Sequence, residues 1–312
     1  MLKACKDSVW QGRTDPDESN RWHQQIKQPA DAGKSLITLF GFCSDEGVRR
    51  NQGRLGAQFG PDVIRAMLAS LIYCAPRPVI DRGNVRYEHD EVDGSLEQGQ
   101  AELGAAISRD ISQNNFPVVL GGGHEVAWAS YQGIRKAYPD ARVGIINFDA
   151  HFDLRCCDPQ PSSGTPFRQI AEDCKKKNQA FNYYVMGINK AGNSPALFSY
   201  AKSAGVHWLS DINMGLQPVN RLIGELQGFC DSVDKIYVSI CLDVFPAHIA
   251  PGVSAPASLG VDPLIIIQLL HYLKTLHSKV VLLDIAEMNP KYDIDNRTAR
   301  LAARLIHEFV SV

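Results

Sequence analysis

At 312 residues, 45% of them hydrophobic, the chain has globular composition and enough length for a large core. A formal net charge of -2 and a pI near 6.5 exclude a broadly basic nucleic-acid surface, and no apolar run reaches the ~18 residues of a membrane helix. The polar N-terminus lacks the apolar core of a signal peptide, and eight cysteines without a Cys-x-x-Cys pair read as reduced thiols, so a cytoplasmic protein is expected.

Residues 1–33, with Trp10, Pro16 and Trp22, read as an irregular N-terminal wrap because turn-forming residues are dense there. An apolar strand follows at 36–43, then helical patterns at 61–71 and 95–113. Strands at 117–120 and 143–148 flank a helix at 125–138. The stretch 157–166, rich in Pro, Ser and Gly, reads as a loop. Strand 183–187, helix 195–204, strand 206–209 and helix 219–230 come next. The chain closes with strand 236–242, helix 263–276, strand 280–286 and helix 296–310. The strands are short, Val/Ile-rich and apolar at successive positions, as buried parallel strands are. Their alternation with helices predicts a three-layer α/β/α fold around a mainly parallel sheet. With no linker or repeat, one domain over 1–312 is expected.

Three of these strands run into polar cassettes, where open α/β sheets build their sites. Val118-Val-Leu-Gly-Gly-Gly-His-Glu125 leads through three glycines to His124. Alone, it reads as readily as a plain strand-to-helix turn. Asp149-Ala-His-Phe-Asp153 follows an apolar strand, and strand alternation is expected to turn Asp149, His151 and Asp153 to one side. Two carboxylates and an imidazole suit a divalent first-row metal. The third cassette, Tyr237-Val-Ser-Ile-Cys-Leu-Asp243, sets Cys241 and Asp243 at the same spacing. Together the six positions exceed what one metal with an open coordination site takes. Two metals about 3.5–4 Å apart fit better, with Asp149 as the expected bridge.

These three motifs, in this order, resemble those of the ureohydrolase superfamily of arginases and agmatinases: Gly-Gly-x-His, Asp-Ala-His-x-Asp and Ser-x-Asp-x-Asp. The resemblance extends to Glu287 in Asp284-Ile-Ala-Glu-Met-Asn-Pro290. Within the superfamily, Trp10-Gln-Gly-Arg-Thr-Asp-Pro16, Ser44-Asp-Glu-Gly-Val-Arg-Arg-Asn-Gln-Gly-Arg54, Ser162-Ser-Gly-Thr-Pro-Phe167 and Ala250-Pro-Gly-Val-Ser-Ala-Pro256 are similar to the formimidoylglutamase branch. The resemblance implies an arginase-like fold, a homo-oligomer, two Mn²⁺ per subunit and hydrolysis of N-formimidoyl-L-glutamate to L-glutamate and formamide. Another ureohydrolase activity, agmatinase-like or on a guanidino acid, and a non-catalytic member with an impaired metal site are the alternatives.

The implied reagent is a metal-bridging hydroxide. Asp153 is expected to orient it and carry its proton to the departing amine, while Glu287 holds the iminium nitrogens. His124, Asp149, His151, Asp153, Cys241 and Asp243 are the implied metal ligands. Cys241 departs from the pattern, because arginase-like members carry a bridging aspartate there. A thiolate is softer than a carboxylate and poorly matched to Mn²⁺, so Cys241 is expected to be a weak or conditional ligand. The two substrate carboxylates call for arginines; Arg155, Arg168, Arg49, Arg50 and Arg54 are the candidates.

Overall fold

The computed structural model describes residues 2–5, 7–14, 20–26, 35–86 and 95–311. Much of the expected N-terminal wrap, Pro16 included, lies outside the described residues. Among these residues, eight parallel strands form one sheet: β1 (Ile37–Cys43), β2 (Val79–Arg86), β3 (Phe116–Leu120), β4 (Val143–Phe148), β5 (Asn182–Ile188), β6 (His207–Ser210), β7 (Lys235–Cys241) and β8 (Val280–Ala286). Their spatial order is β2-β1-β3-β8-β7-β4-β5-β6. Helices α1 (Trp22–Gln25), α2 (Glu46–Arg50), α3 (Gly60–Ala69), α4 (Ser95–Ser112), α5 (Val126–Ala137) and α6 (Pro166–Lys176) occupy the first part of the chain. The remainder are α7 (Pro195–Ser203), α8 (Asp211–Leu216), α9 (Val219–Asp231), α10 (Pro263–Thr275) and α11 (Arg297–Val310).

Because successive side chains leave a strand on opposite faces, each strand feeds two separate cores. On one side Ile37, Leu39, Val118, Leu120, Ile146, Phe148, Val238 and Ile240 pack with residues of α3, α9, α10 and α11. On the other, Phe40, Phe42, Val119, Ile145 and Tyr237 pack with α4, α5 and α6. Burial on both faces is why these strands read as unbroken apolar runs rather than alternating ones. No described helix is long and apolar enough to cross a membrane.

Strand β2 and helices α1, α2, α6 and α8 differ from the sequence expectation, and two of them show why. Strand β2 was not expected, because Asp81, Arg82 and Arg86 interrupt its apolar pattern. The structure accommodates Asp81 by pairing it with Arg65 of α3, whose side chain is fully buried. Arg65 Nε and Nη2 each donate to Asp81 at 2.9 Å, and Nη1 donates to Asn84 Oδ1 at 2.7 Å. Helix α6 begins at Pro166, where the loop was expected to end. Proline suits the first helical turn because its missing N–H would have had no intrahelical partner there.

Strands β3 and β4 are consecutive in the chain but lie apart in the sheet, with β8 and β7 between them. From β4 the chain moves outward to β5, and from β7 it moves the opposite way to β8. The four central strands β3, β8, β7 and β4 therefore bring their C-terminal ends side by side. This is the position where open α/β sheets form crevices.

Candidate metal centre

Every cassette leaves one of those four central strands. After β3 the chain passes through Gly121–Gly123, whose N–H groups donate to Ile285 O, Phe42 O and Ser44 O at 2.7, 2.8 and 3.0 Å. A Cβ on Gly122 would fall 1.7 Å from Ser44 O, so this approach requires glycine. The turn delivers His124 to the floor of the crevice, buried, with its N–H donating to Glu287 Oε1 at 2.9 Å.

Strand β4 ends at Phe148, one residue before the second cassette. Strand alternation therefore does not align Asp149, His151 and Asp153. A tight turn does so instead, in which the His151 N–H donates to Asp149 Oδ1 at 2.7 Å. Asp153 adopts a left-handed backbone, φ 49°, and Glu287 at the end of β8 does likewise, φ 69°. Non-glycine residues held there cluster at functional sites, where surrounding contacts over-determine the backbone. Cys241 is the last residue of β7, and Asp243 sits in the short 3₁₀ turn Leu242–Val244 rather than on the strand.

Among the described residues, two sets of ligand atoms converge within 4.8 Å: His124, Asp149 and Cys241 in one, Asp149, His151 and Asp243 in the other. Asp149 belongs to both. His124 Nδ1 lies 3.0 Å from Asp149 Oδ2 and 2.9 Å from Asp153 Oδ2, and His151 Nδ1 lies 3.1 Å from Asp243 Oδ2. Asp153 stands outside both triads but faces His124. Two ligand atoms, His124 Nδ1 and Asp243 Oδ1, are buried without a hydrogen-bond partner. Buried polar atoms seldom stay unpaired, and the surrounding oxygen and nitrogen donors suit a hard divalent cation, so the residues fit a metal.

The electrostatics follow from packing these groups together. Burial opposes charge on His124 and His151, but the facing carboxylates outweigh it and push both imidazoles well above their usual range. Burial likewise opposes ionisation of Asp149, yet the two histidines hold it below the usual carboxylate range. Burial and the neighbouring Asp149 push Asp153 up to about 6. Burial, with Asp149 and Asp243 nearby, pushes the Cys241 thiol well above its usual value. Burial, Glu125 and Asp243 do the same to the Glu287 carboxyl.

A cavity of about 320 Å³ opens above these groups, lined by His124, His151, Asp153, Cys241, Asp243 and Glu287 on its floor. Asn51 to Arg54, Arg155, Ser163, Asn193 and Ser254 contribute to its walls. Arg155 has no carboxylate partner among the described residues. Arg54 is anchored, Nε donating to Ser254 O at 2.9 Å and the guanidinium lying 4.0 Å from the Tyr292 ring centre. The other candidate arginines do not line the cavity. Arg49 and Arg50 pair with Glu46, Arg50 also with Glu97, and Arg168 pairs with Glu172 while lying over the Tyr200 ring.

Sequence reasoning passed over two residues. Asn193 accepts the Phe152 N–H at 3.1 Å and donates to Ala150 O at 2.9 Å, clamping the turn of the second cassette. A loop asparagine carries no signal of such a role. Glu125, directly after His124, is fully buried, and its Oε1 accepts the Gly47 N–H at 3.0 Å. It thereby ties the α2 segment, which leads into the cavity wall, to the glycine turn. Burial pushes its carboxyl up to about 7. A carboxyl whose proton affinity rises on folding binds more protons in the folded state. Stability is therefore lost as pH climbs from about 4.5 towards 7, by on the order of 3 kcal/mol. Glu125→Gln is expected to reduce the slope of urea melts recorded between pH 5 and 8, the remainder coming from Asp153 and Glu287, which burial shifts the same way. A variant with an unchanged slope would show that Glu125 does not carry it.

The Arginase family model matches residues 35–311. A formimidoylglutamase of Ralstonia nicotianae is 45% identical, covering 99% of this chain and 97% of that protein. Another, of Rhodococcus jostii, is 46% identical, covering 97% and 94%. Among solved structures, formimidoylglutamase from Bacillus subtilis superposes with a TM-score of 0.85 at 22% identity, covering 96% of this chain and 92% of that one. Trypanosoma cruzi formiminoglutamase with Mn²⁺ gives 0.77 at 24% identity, covering 89% and 93%. With one family model spanning nearly all of the sheet-forming chain and relatives near 45% identity over its whole length, this chain belongs to the arginase family.

Proposed function

We propose that this chain, as one metallohydrolase domain over 1–312, hydrolyses N-formimidoyl-L-glutamate to L-glutamate and formamide with two Mn²⁺ bound at the strand ends. The observation that carries the reading is the pair of ligand triads sharing Asp149 beneath a cavity that holds both Glu287 and Arg155. The near-full-length relatives named formimidoylglutamase support the substrate. The role is that of a cytoplasmic enzyme acting on a small molecule.

His124, Asp149 and Cys241 would hold one ion, and Asp149, His151 and Asp243 the other, with Asp153 beside His124. Such a pair of ions lowers the pKa of a coordinated water towards 7 and so supplies a nucleophile at neutral pH. Asp153, pushed up to about 6, is poised to accept a proton on its carboxylate and return it to the leaving glutamate nitrogen. Glu287 would hold the formimino nitrogens through charge-assisted hydrogen bonds, its carboxylate fixed by the His124 N–H. Cys241 enters the ligand set only as a thiolate, and its raised proton affinity makes it the weakest donor of the six.

Arg155 is read as the group that takes a substrate carboxylate, with Arg54 adding fixed positive charge to the same cavity. Losing a hydrogen-bonded charge pair of about 1.5–3 kcal/mol raises KM for Arg155→Ala roughly 10–100-fold. Arg168→Ala, bound up with Glu172 and Tyr200, leaves the kinetics unchanged. An unaltered KM in Arg155→Ala would remove it from the substrate site. The activity is tested by incubating the Mn²⁺-loaded protein with N-formimidoyl-L-glutamate, agmatine and guanidino acids and measuring formamide and urea. Formamide from the first substrate is expected; urea from the others, without formamide, would replace this reading with another ureohydrolase activity.

A further inference from the structure

The peptide that carries Glu287 continues through Met288 to Asn289 and is fastened at both ends. The Glu287 N–H donates to Gly122 O at 2.8 Å, and the Asn289 N–H donates to Gly252 O at 2.7 Å. The Asn289 side chain is fully buried. Its Nδ2 donates to the backbone carbonyl of Arg54 at 2.8 Å, and its Oδ1 accepts the Lys291 N–H at 3.2 Å. One carbonyl and one N–H as partners fix which way the amide faces. A Cβ on Gly56 would fall 2.3 Å from Asn289 Oδ1, so the Arg54 segment passes this close because position 56 is glycine.

Arg54 is also held by the loop around Ser254. Its backbone N–H donates to the Ser254 hydroxyl at 2.9 Å. Its guanidinium donates through Nε to Ser254 O at 2.9 Å and through Nη2 to Val253 O at 2.5 Å, and it lies over the Tyr292 ring. These acceptors are neutral, so the charge of Arg54 has no carboxylate partner among the described residues. Arg54 lines the same cavity as Glu287, and a guanidinium fixed in this way suits a carboxylate. Arg155, two residues from Asp153, stands nearer the reacting groups along the chain, which leaves Arg54 for the far carboxylate of the substrate. Asn289 joins the two ends of the site, two residues from Glu287 and hydrogen-bonded to the backbone of Arg54.

We infer that Asn289 is a positioning residue that sets the span between Glu287, at the amidine end of the substrate, and Arg54, at its far carboxylate. That span selects a substrate of glutamate length over a shorter one. Asn289 is buried behind the cavity wall and acts through Arg54, since a small misplacement of a binding group is costly. The inference rests on the proposed function, with Glu287 and Arg54 at the two ends of the site.

Hydrolysis of N-formimidoyl-L-glutamate and of N-formimidoyl-L-aspartate, one methylene shorter, by the Mn²⁺-loaded protein tests it. The ratio of the two kcat/KM values does not depend on how much of a variant is folded. Wild type is expected to favour the glutamate compound by about 10-fold or more. Asn289→Ala and the milder Asn289→Ser are expected to lower that preference roughly 10-fold, mainly through a raised KM for the glutamate compound. In an Arg54→Ala background, where the preference is already lost, adding Asn289→Ala should change it no further. A wild-type preference retained in both Asn289 variants, or a further fall in the double variant, would overturn the inference while leaving the activity intact. Loss of hydrolysis of both compounds in both Asn289 variants would overturn it too, by showing that the residue supports the whole site rather than its length. A wild-type protein that hydrolysed neither compound would overturn the proposed function, and this inference with it.

Discussion

Asp149→Asn is expected to lose both metal ions and to reduce hydrolysis by well over 100-fold. Asp149 is the one residue common to both triads, and its two oxygens already face His124, His151 and the Asn147 amide. An asparagine side chain carries no charge and offers one acceptor in place of two. Since loss of an outer partner alone costs 10–100-fold, loss of the shared ligand costs more. Asp243 belongs to one triad only, so Asp243→Asn should retain part of the metal. Elemental analysis of the two variants after Mn²⁺ loading separates these outcomes, and full metal content in Asp149→Asn would remove it as the bridge. Both histidines hold protons more tightly than usual beside these carboxylates. Metal loading must expel those protons, so Mn²⁺ affinity falls as pH falls.

Arg65→Met is the substitution expected to damage the fold most without touching the metal site. It leaves Asp81 in a buried position with its cationic partner removed, and it also strips donors from Asn84 Oδ1 and Gly83 O. Breaking a buried pair on one side costs about 3–5 kcal/mol, a fall in melting temperature of roughly 5–8 °C for a chain of this length. Adding Asp81→Asn should recover part of the loss, because the stranded charge goes with it. Urea unfolding of the two variants measures both effects. A loss under about 1 kcal/mol in Arg65→Met would mean that water or rearrangement replaces the guanidinium.

The pair also explains why β2 escaped sequence reading. Asp81, Arg82 and Arg86 look like loop residues until Arg65, distant in sequence, supplies the countercharge that allows the strand to be buried. A similar reason lies behind the arginine candidates. Arg155 and Arg168 are near neighbours in a polar stretch, and nothing local distinguishes them. Helix α6 turns Arg168 towards Glu172 and Tyr200, whereas Arg155 lies at the cavity wall. Asp149, His151 and Asp153 were found for their chemistry, although a turn and a left-handed backbone at Asp153 gather them rather than the pleat of a strand.

The donor set was legible in the linear order of residues: apolar runs that must be buried strands, each ending in groups that a core does not tolerate. His124, the Asp149 to Asp153 run and the Cys241 and Asp243 pair could be named that way, and Glu287 through the resemblance. Which of them meet was not legible. Strands β3 and β4 follow each other along the chain, yet β8 and β7 lie between them. Strand pairing of that range is fixed by the packing of helices on both faces, and no local propensity records it. That pairing makes Asp149 common to two triads and leaves Arg155 on the cavity wall with no carboxylate partner among the described residues.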